Sequence, residues 1–244
     1  MALTYSNAAK PPPPHVMAAE LPRAIVGVAA LPWAWPRLMA APKGDGRPVM
    51  VLPGLVNSDN SNIVMRRYLN ALGYRAEGWK LGRNIGPPAM GGNGERLLGR
   101  IEDIAERTGE AVTLVGMSLG GIMSRFAAHR RPDLVREVIT VSSPFAGPPE
   151  ATNLWRVYEA LSGQRVSDER ALALLREAAA PLPVPATAIW SASDGLVNGL
   201  NCRAPEDASC RAIEVRSSHV WVQMRPQVLL AVAEVLGASD SRSG

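Results

Sequence analysis

The chain has 244 residues, 47% of them hydrophobic and 20% charged, the composition of one globular domain rather than of a disordered, fibrous or membrane-spanning protein. Its 26 Lys and Arg against 22 Asp and Glu leave a formal charge of +4. These basic residues are scattered, with Arg66-Arg67 and Arg130-Arg131 the tightest pairs, so no nucleic-acid partner is expected.

Residues Met1 to Pro14 contain Lys10 and the run Pro11 to Pro14, which predicts a flexible or polyproline arm, and flexibility is expected to extend through residue 20. Leu21 to Ala41 is mostly apolar, but Pro22, Pro32 and Pro36 divide it. It is too broken to span a bilayer, and the Pro-rich start does not fit a signal peptide. One or two short helices packed on the domain are expected there, in preference to a membrane-surface anchor through Trp33 and Trp35. From Arg47 to Leu236, short apolar runs alternate with amphipathic stretches, the pattern of a mostly parallel sheet flanked by helices. Strands are predicted at Pro48–Leu52, Tyr74–Trp79, Val112–Met117, Glu137–Ser142, Ala186–Trp190 and Ala212–Val215. Helices are predicted near Asn60–Leu72, Gly94–Thr108, Leu119–Arg130 and Trp221–Leu236, the last with Pro226 in its first turn. Residues 147–184 interrupt the rhythm with two helix-like stretches, Thr152–Leu161 and Ser167–Ala180, and read as a small helical cap inserted into one α/β domain over 21–236. The Ser- and Gly-rich tail 237–244 is expected to be disordered.

Gly116-Met117-Ser118-Leu119-Gly120 matches G-x-S-x-G, a modest signal in a chain with 22 glycines. Its setting strengthens it: a buried strand precedes it and a helix follows. A turn tight enough to expose Ser118 needs glycine two positions before and two after, and the helix N-terminus behind it favours developing negative charge. The base follows by elimination from three histidines. His15 lies in the Pro-rich arm, and His129 lies at the far end of the helix after Ser118. His219 directly follows the last strand, where open α/β sheets bind ligands. Asp194, in the turn leaving the strand Ala186–Trp190, supplies the carboxylate. Asp133 lies on the opposite edge, Asp168 in the cap, and Glu206 and Asp207 follow no strand. An oxyanion hole is expected from the amides of Leu119 and of Leu55 in the loop Val51-Leu52-Pro53-Gly54-Leu55. That loop lacks the glycine and lysine pattern of a phosphate site.

With its Leu-Pro-Gly-Leu loop at 52–55, Gly-Met-Ser-Leu-Gly-Gly at 116–121, Ser-Pro-Phe at 143–145, Ser-Asp-Gly-Leu-Val at 193–197 and late His219, the chain resembles the α/β-hydrolase superfamily, in particular its small bacterial lipases and esterases. It departs from many relatives in reading Pro53-Gly54 where they have His-Gly, and in the excursion from Cys202 to Cys210. The resemblance implies a serine hydrolase that cleaves carboxylic esters through an acyl-enzyme, with Ser118 as nucleophile, His219 as base and Asp194 orienting it. An acyltransferase using the same triad is the alternative, and a catalytically silent binding protein is a third reading.

Cap and neighbouring side chains predict an apolar substrate pocket drawn from Val56, Phe145, Trp155, Tyr158 and Val197, hence a small hydrophobic ester substrate. No cofactor and no metal site is expected, no transmembrane segment, and at most weak contact with a membrane surface; composition leaves the oligomeric state open. Cys202 and Cys210 stand close enough in sequence to bridge. A cytoplasmic location is expected from the lack of a signal-peptide pattern, and an extracytoplasmic one if the two cysteines form a disulfide.

Overall fold

The computed structural model describes residues 10–163, 165–204 and 210–240. Six strands, β1 (Pro48–Leu52), β2 (Arg75–Gly78), β3 (Val112–Met117), β4 (Val135–Val141), β5 (Ala186–Trp190) and β6 (Cys210–Glu214), form one parallel sheet in the order β2-β1-β3-β4-β5-β6. Because β1, β3, β4 and β5 run through the middle of the sheet, nearly every residue in them is buried. This is why the sequence shows continuous apolar runs there rather than alternation.

Side chains nevertheless divide between two faces with the period of two that a strand imposes. Val49 and Val51 of β1, with Val115, Ile139 and Ile189, face a core built with α3 (Leu31–Met39), α4 (Ile63–Leu72) and α10 (Pro226–Asp240). Met50, Leu52, Leu114 and Val138 face the opposite core, built with α6 (Glu95–Thr108) and α7 (Leu119–Arg130). A short helix, α5 (Pro87–Met90), closes the end of that second layer. Pro226 opens α10 as expected. The edge strand β6 is partly exposed and runs from Cys210 rather than from Ala212.

The N-terminal region departs from expectation. Residues 14–20 are not a flexible arm: Pro14–Ala18 form α1, whose Pro at the first position suits a helix start, and Glu20 begins α2 (Glu20–Ala29) and is buried. Ala24, on α2, and Leu38, on α3, pack against the domain, and Gly27 leaves room for the Arg225 guanidinium. Trp35 meets Tyr68 edge-on with ring centroids 6.3 Å apart, while Trp33 stays 81% exposed. Among the described residues no single helix is long and apolar enough to cross a membrane. The arm residues 1–9 lie outside the described residues. At the other end the chain is helical to Asp240 instead of fraying at 237, because the apolar face of α10 continues into the core at Val235 and Leu236; residues 241–244 lie outside the described set.

Between β4 and β5 the cap carries α8 (Trp155–Ser162) and α9 (Glu169–Ala179). The exit from α9 is held by Arg125 of α7. Its fully buried guanidinium stacks on Phe145 at 4.0 Å and donates to the carbonyls of Ala178 and, at 2.8 Å, Ala180. A cation at a helix C-terminus both complements the dipole and satisfies carbonyls that the helix leaves unpaired. Arg125→Met keeps the aliphatic volume and removes those donors. It should lower unfolding stability by about 2–4 kcal/mol, read from urea denaturation as a lower midpoint at unchanged slope.

Candidate active site

β3 ends at Met117 and α7 begins at Leu119, leaving Ser118 alone in the turn with φ 50° and ψ −119°, a conformation costly for any residue with a Cβ. Two backbone bonds hold it there: Ser118 N–H donates to Val141 at 2.8 Å, and its carbonyl accepts from Gly121 N–H at 2.9 Å. The flanking glycines answer to space. A Cβ on Gly116 would lie 2.4 Å from the Gly121 Cα, and one on Gly120 would lie 2.7 Å from the carbonyl oxygens of Leu52 and Pro53. The glycines expected on either side of the serine are thus required by the approach of α7 to β3 and β1.

His219 and Asp194 reach Ser118 from loops after β6 and β5, at the same carboxyl edge of the sheet. His219 Nε2 lies 3.1 Å from Ser118 Oγ, and His219 Nδ1 lies 2.8 Å from Asp194 Oδ2. The other oxygen, Asp194 Oδ1, accepts the N–H groups of Leu196 and Val197, both at 2.9 Å. Asp194 is therefore a buried, fully partnered acceptor that presents one oxygen to the imidazole, so Nδ1 carries the proton and Nε2 faces the hydroxyl as acceptor. Burial pushes the His219 imidazolium toward losing its proton. The charge and hydrogen bond of Asp194, together with the charge of Glu20, oppose this and prevail, holding its pKa above the ordinary 6.5. His15 lies in α1 and His129 in the last turn of α7, neither beside Ser118.

The two loops are bound to each other as well as to the serine. Ser191 Oγ donates to the Ser217 carbonyl at 3.0 Å and accepts the Ser217 N–H at 3.1 Å. The cap joins the same junction: Thr152 and Val197 form an isolated antiparallel bridge, and Asn153 N–H donates to the Leu196 carbonyl at 2.7 Å.

Leu55 and Leu119, the two expected oxyanion donors, both line the cavity in front of Ser118. Leu119 is the first residue of α7, whose amide has no acceptor within the helix. Among the described residues no protein acceptor takes the Leu55 N–H. The Leu55 loop is fixed by Asn84, which sequence reasoning did not single out. This fully buried side chain donates to the Pro53 carbonyl at 2.7 Å, and its backbone carbonyl accepts the Val56 N–H at 2.7 Å.

The cavity itself is apolar. Trp155, Tyr158 and Val197 line it as expected, joined by Ile122, Met123 and Leu174, which the sequence did not point to. Two expected lining residues do not. Val56 turns outward at φ 59° and is 40% exposed, and Phe145 is buried beneath the cavity because its ring supports the Arg125 guanidinium. Among the described residues Cys202 and Cys210 form no disulfide, contrary to the bridge their spacing allows. Cys202 is buried against Trp190 and Val197, where burial and the Asp194 charge push its thiol pKa up, while Cys210 opens the edge strand.

No protein-family model matches the chain. Over 107 residues, 41% of its length, it is 32% identical to a triacylglycerol lipase of Pseudarthrobacter phenanthrenivorans, and it is 32% identical over 107 residues to one of Burkholderia plantarii. Those matches cover 34% and 30% of the two lipases, so the matched part spans about one third of these curated relatives. The structure of a mature lipase of Bacillus licheniformis superimposes with a TM-score of 0.59 at 18% identity, covering 80% of this chain and 93% of that one. The chain has the α/β-hydrolase fold. In this hydrolase-fold chain the sheet is wholly parallel over six strands, and the Pro53-Gly54 loop occupies the place beside Ser118, where a Cβ on Gly54 would stand 3.3 Å from the serine Cβ.

Opposed influences on His219 give a prediction that needs no substrate. In Asp194→Asn the counter-charge is gone and burial acts against only the Glu20 charge, so the His219 pKa should fall below that of the parent, as followed by NMR titration of the ring; an unchanged value would contradict the assigned electrostatics.

Proposed function

We propose that the chain is a carboxylic-ester hydrolase of the lipase or esterase kind, acting on esters with hydrophobic groups through Ser118, His219 and Asp194. The observation that carries this reading is the continuous chain of contacts from Asp194 Oδ2 through the His219 ring to Ser118 Oγ, opening into an apolar cavity. The triacylglycerol lipases among the sequence relatives support it from a second direction.

Ser118 Oγ attacks the ester carbonyl carbon as His219 Nε2 takes its proton, and the carbonyl electron pair moves onto oxygen. The amides of Leu55 and Leu119 receive that oxyanion; one such donor elsewhere contributes about 2.7–4 kcal/mol to the transition state. Collapse of the adduct breaks the bond to the alcohol oxygen, which leaves with the proton held by His219. Water, deprotonated in turn by Nε2, then attacks the acyl carbon, and collapse of this second adduct breaks the bond to Ser118 Oγ, which takes back the proton from His219 as the acid leaves. Throughout, Asp194 holds the tautomer and stabilises the imidazolium. Since the neutral ring is the active form, kcat/KM should rise with pH through the His219 pKa, placing the acidic limb above the ordinary histidine value.

The apolar walls contributed by Ile122, Met123, Trp155 and Leu174 favour uncharged acyl or alcohol groups over charged ones. Ser118→Ala, which keeps the fold by circular dichroism, should lower turnover of a short p-nitrophenyl ester by more than about a thousandfold and abolish labelling by a fluorophosphonate probe. Undiminished hydrolysis in that variant would overturn the proposal.

A further inference from the structure

Glu20, the carboxylate of the N-terminal helices, is buried, 3% exposed, and stands next to the serine, histidine and aspartate site with its hydrogen bonds going to none of the three. One of its oxygens, Oε1, accepts the Gly195 N–H at 2.8 Å, and the other, Oε2, accepts the Val220 N–H at 2.9 Å. Gly195 immediately follows Asp194, and Val220 immediately follows His219. A single side chain from α2 therefore bridges the two loops at the positions adjoining the acid and the base.

The surroundings are shaped to this contact. A Cβ on Gly195 would lie 2.6 Å from the Val16 carbonyl and 2.9 Å from Glu20 Cγ, so only glycine there lets the junction of α1 and α2 seat on the acid loop. Arg23, one turn along α2, pairs with Glu20 Oε1 at 2.8 Å and donates to the Ser193 carbonyl at 2.5 Å, and Arg225 donates to the Arg23 carbonyl at 2.6 Å. A carboxylate is suited to this place because each oxygen must accept a backbone N–H. An amide offers one acceptor and would turn its own N–H groups toward the second.

We propose that Glu20 is a positioning residue for the reaction, holding the Asp194 and His219 loops in register so that His219 Nε2 stays within reach of Ser118 Oγ. The proposal rests on the ester-hydrolase reading for its kinetic consequence, while its structural consequence at His219 stands without it.

The electrostatics agree in sign with the geometry. The groups bearing on the His219 ring are Asp194 from the loop after β5 and Glu20 from α2, with Arg23 and Arg225 beside Glu20 and the Cys202 thiol beside Asp194. Both carboxylates favour the imidazolium, so removing the Glu20 charge should lower the His219 pKa.

Glu20→Gln, with Glu20→Asp and Ser118→Ala in parallel, tests the proposal in the full chain. Expected for Glu20→Gln is a fall in kcat of roughly tenfold to a hundredfold with KM little changed, and an acidic limb moved to lower pH. The NMR titration of the His219 ring should move in the same direction, and the Gly195 and Val220 amides should exchange faster with solvent. Glu20→Asp keeps the charge with a side chain one methylene shorter; it should retain the His219 titration more closely than Gln while still losing kcat. The lost charge alone moves the limb and the ring titration, so the deciding readouts are the plateau kcat and the two amides: a merely structural Glu20 would lower the melting temperature and leave both as in the parent, and that outcome overturns the proposal. The readings separate cleanly. If Ser118→Ala leaves ester hydrolysis intact, the ester-hydrolase reading fails, whereas the exchange of the Gly195 and Val220 amides in Glu20→Gln still decides whether Glu20 positions the two loops.

Discussion

The arrangement at the carboxyl edge of the sheet depends on one strained residue. Ser118, at φ 50° and ψ −119°, carries a cost of about 1–3 kcal/mol that only over-determined surroundings can hold. Those surroundings are the bonds to Val141 and from Gly121, and the contact of α7 with β1 and β3 that Gly116 and Gly120 allow. The same close approach buries α7 almost completely from Gly120 to Ala128. A helix so enclosed becomes the platform for the cap: Arg125 reaches from it to the end of α9, and Ile122 and Met123 form the floor of the cavity. The turn that exposes the hydroxyl and the wall that would receive a substrate are consequences of one packing constraint.

Electrostatics supplies the second constraint. A carboxylate as buried as Asp194 would be intolerable without partners, and the loop provides them from its own backbone by folding the amides of Leu196 and Val197 onto Oδ1. This leaves Oδ2 for the imidazole alone. Burial of His219 works in the opposite direction from the carboxylates, and the carboxylates prevail, leaving the ring more basic than an ordinary histidine and so better able to hold a proton in passing. Nearby Cys202 shows the same field acting on a different group: burial and the Asp194 charge both disfavour its thiolate, so it sits beside the site as an inert apolar side chain.

Much of this was legible in the sequence because it is local or follows chain order. The strand-to-helix pattern around Ser118, the turn after β5 and the position of His219 after the last strand each reveal themselves within a few residues. What could not be read depends on distant partners. Phe145 looks like a pocket residue until Arg125 is seen stacked on it, and Val56 looks inward until its backbone turns at φ 59°. Asn84 has no local motif; its role appears only when Pro53, Val56 and Asn57 fold over it. Residues 14–20 read as an arm because Pro11 to Pro14 dominates the composition, yet the helices behind that run gain their stability from tertiary contacts, as most short helices do. The two cysteines, near in sequence, belong to different parts of the fold, one buried beside Trp190 and the other opening an edge strand.

The contacts of Glu20 span 175 and 200 positions in the chain, which explains both why sequence patterning is blind to them and what they achieve. The acid and base sit on irregular loops, each attached to the sheet by a single preceding strand, and each residue fixed in such a loop costs roughly 1–2 kcal/mol of conformational entropy. Local bonds, such as those between Ser191 and Ser217, tie the loops to each other but do not tie the pair to anything rigid. A helix is rigid, and α2 is anchored independently, by Ala24 in the core and by Arg225 on the Arg23 carbonyl. By placing a two-oxygen acceptor on that helix between Gly195 and Val220, the fold transfers the stiffness of a helix to two loops that lack it. The N-terminal segment thereby belongs to the site in a physical sense, although none of its atoms need touch a substrate.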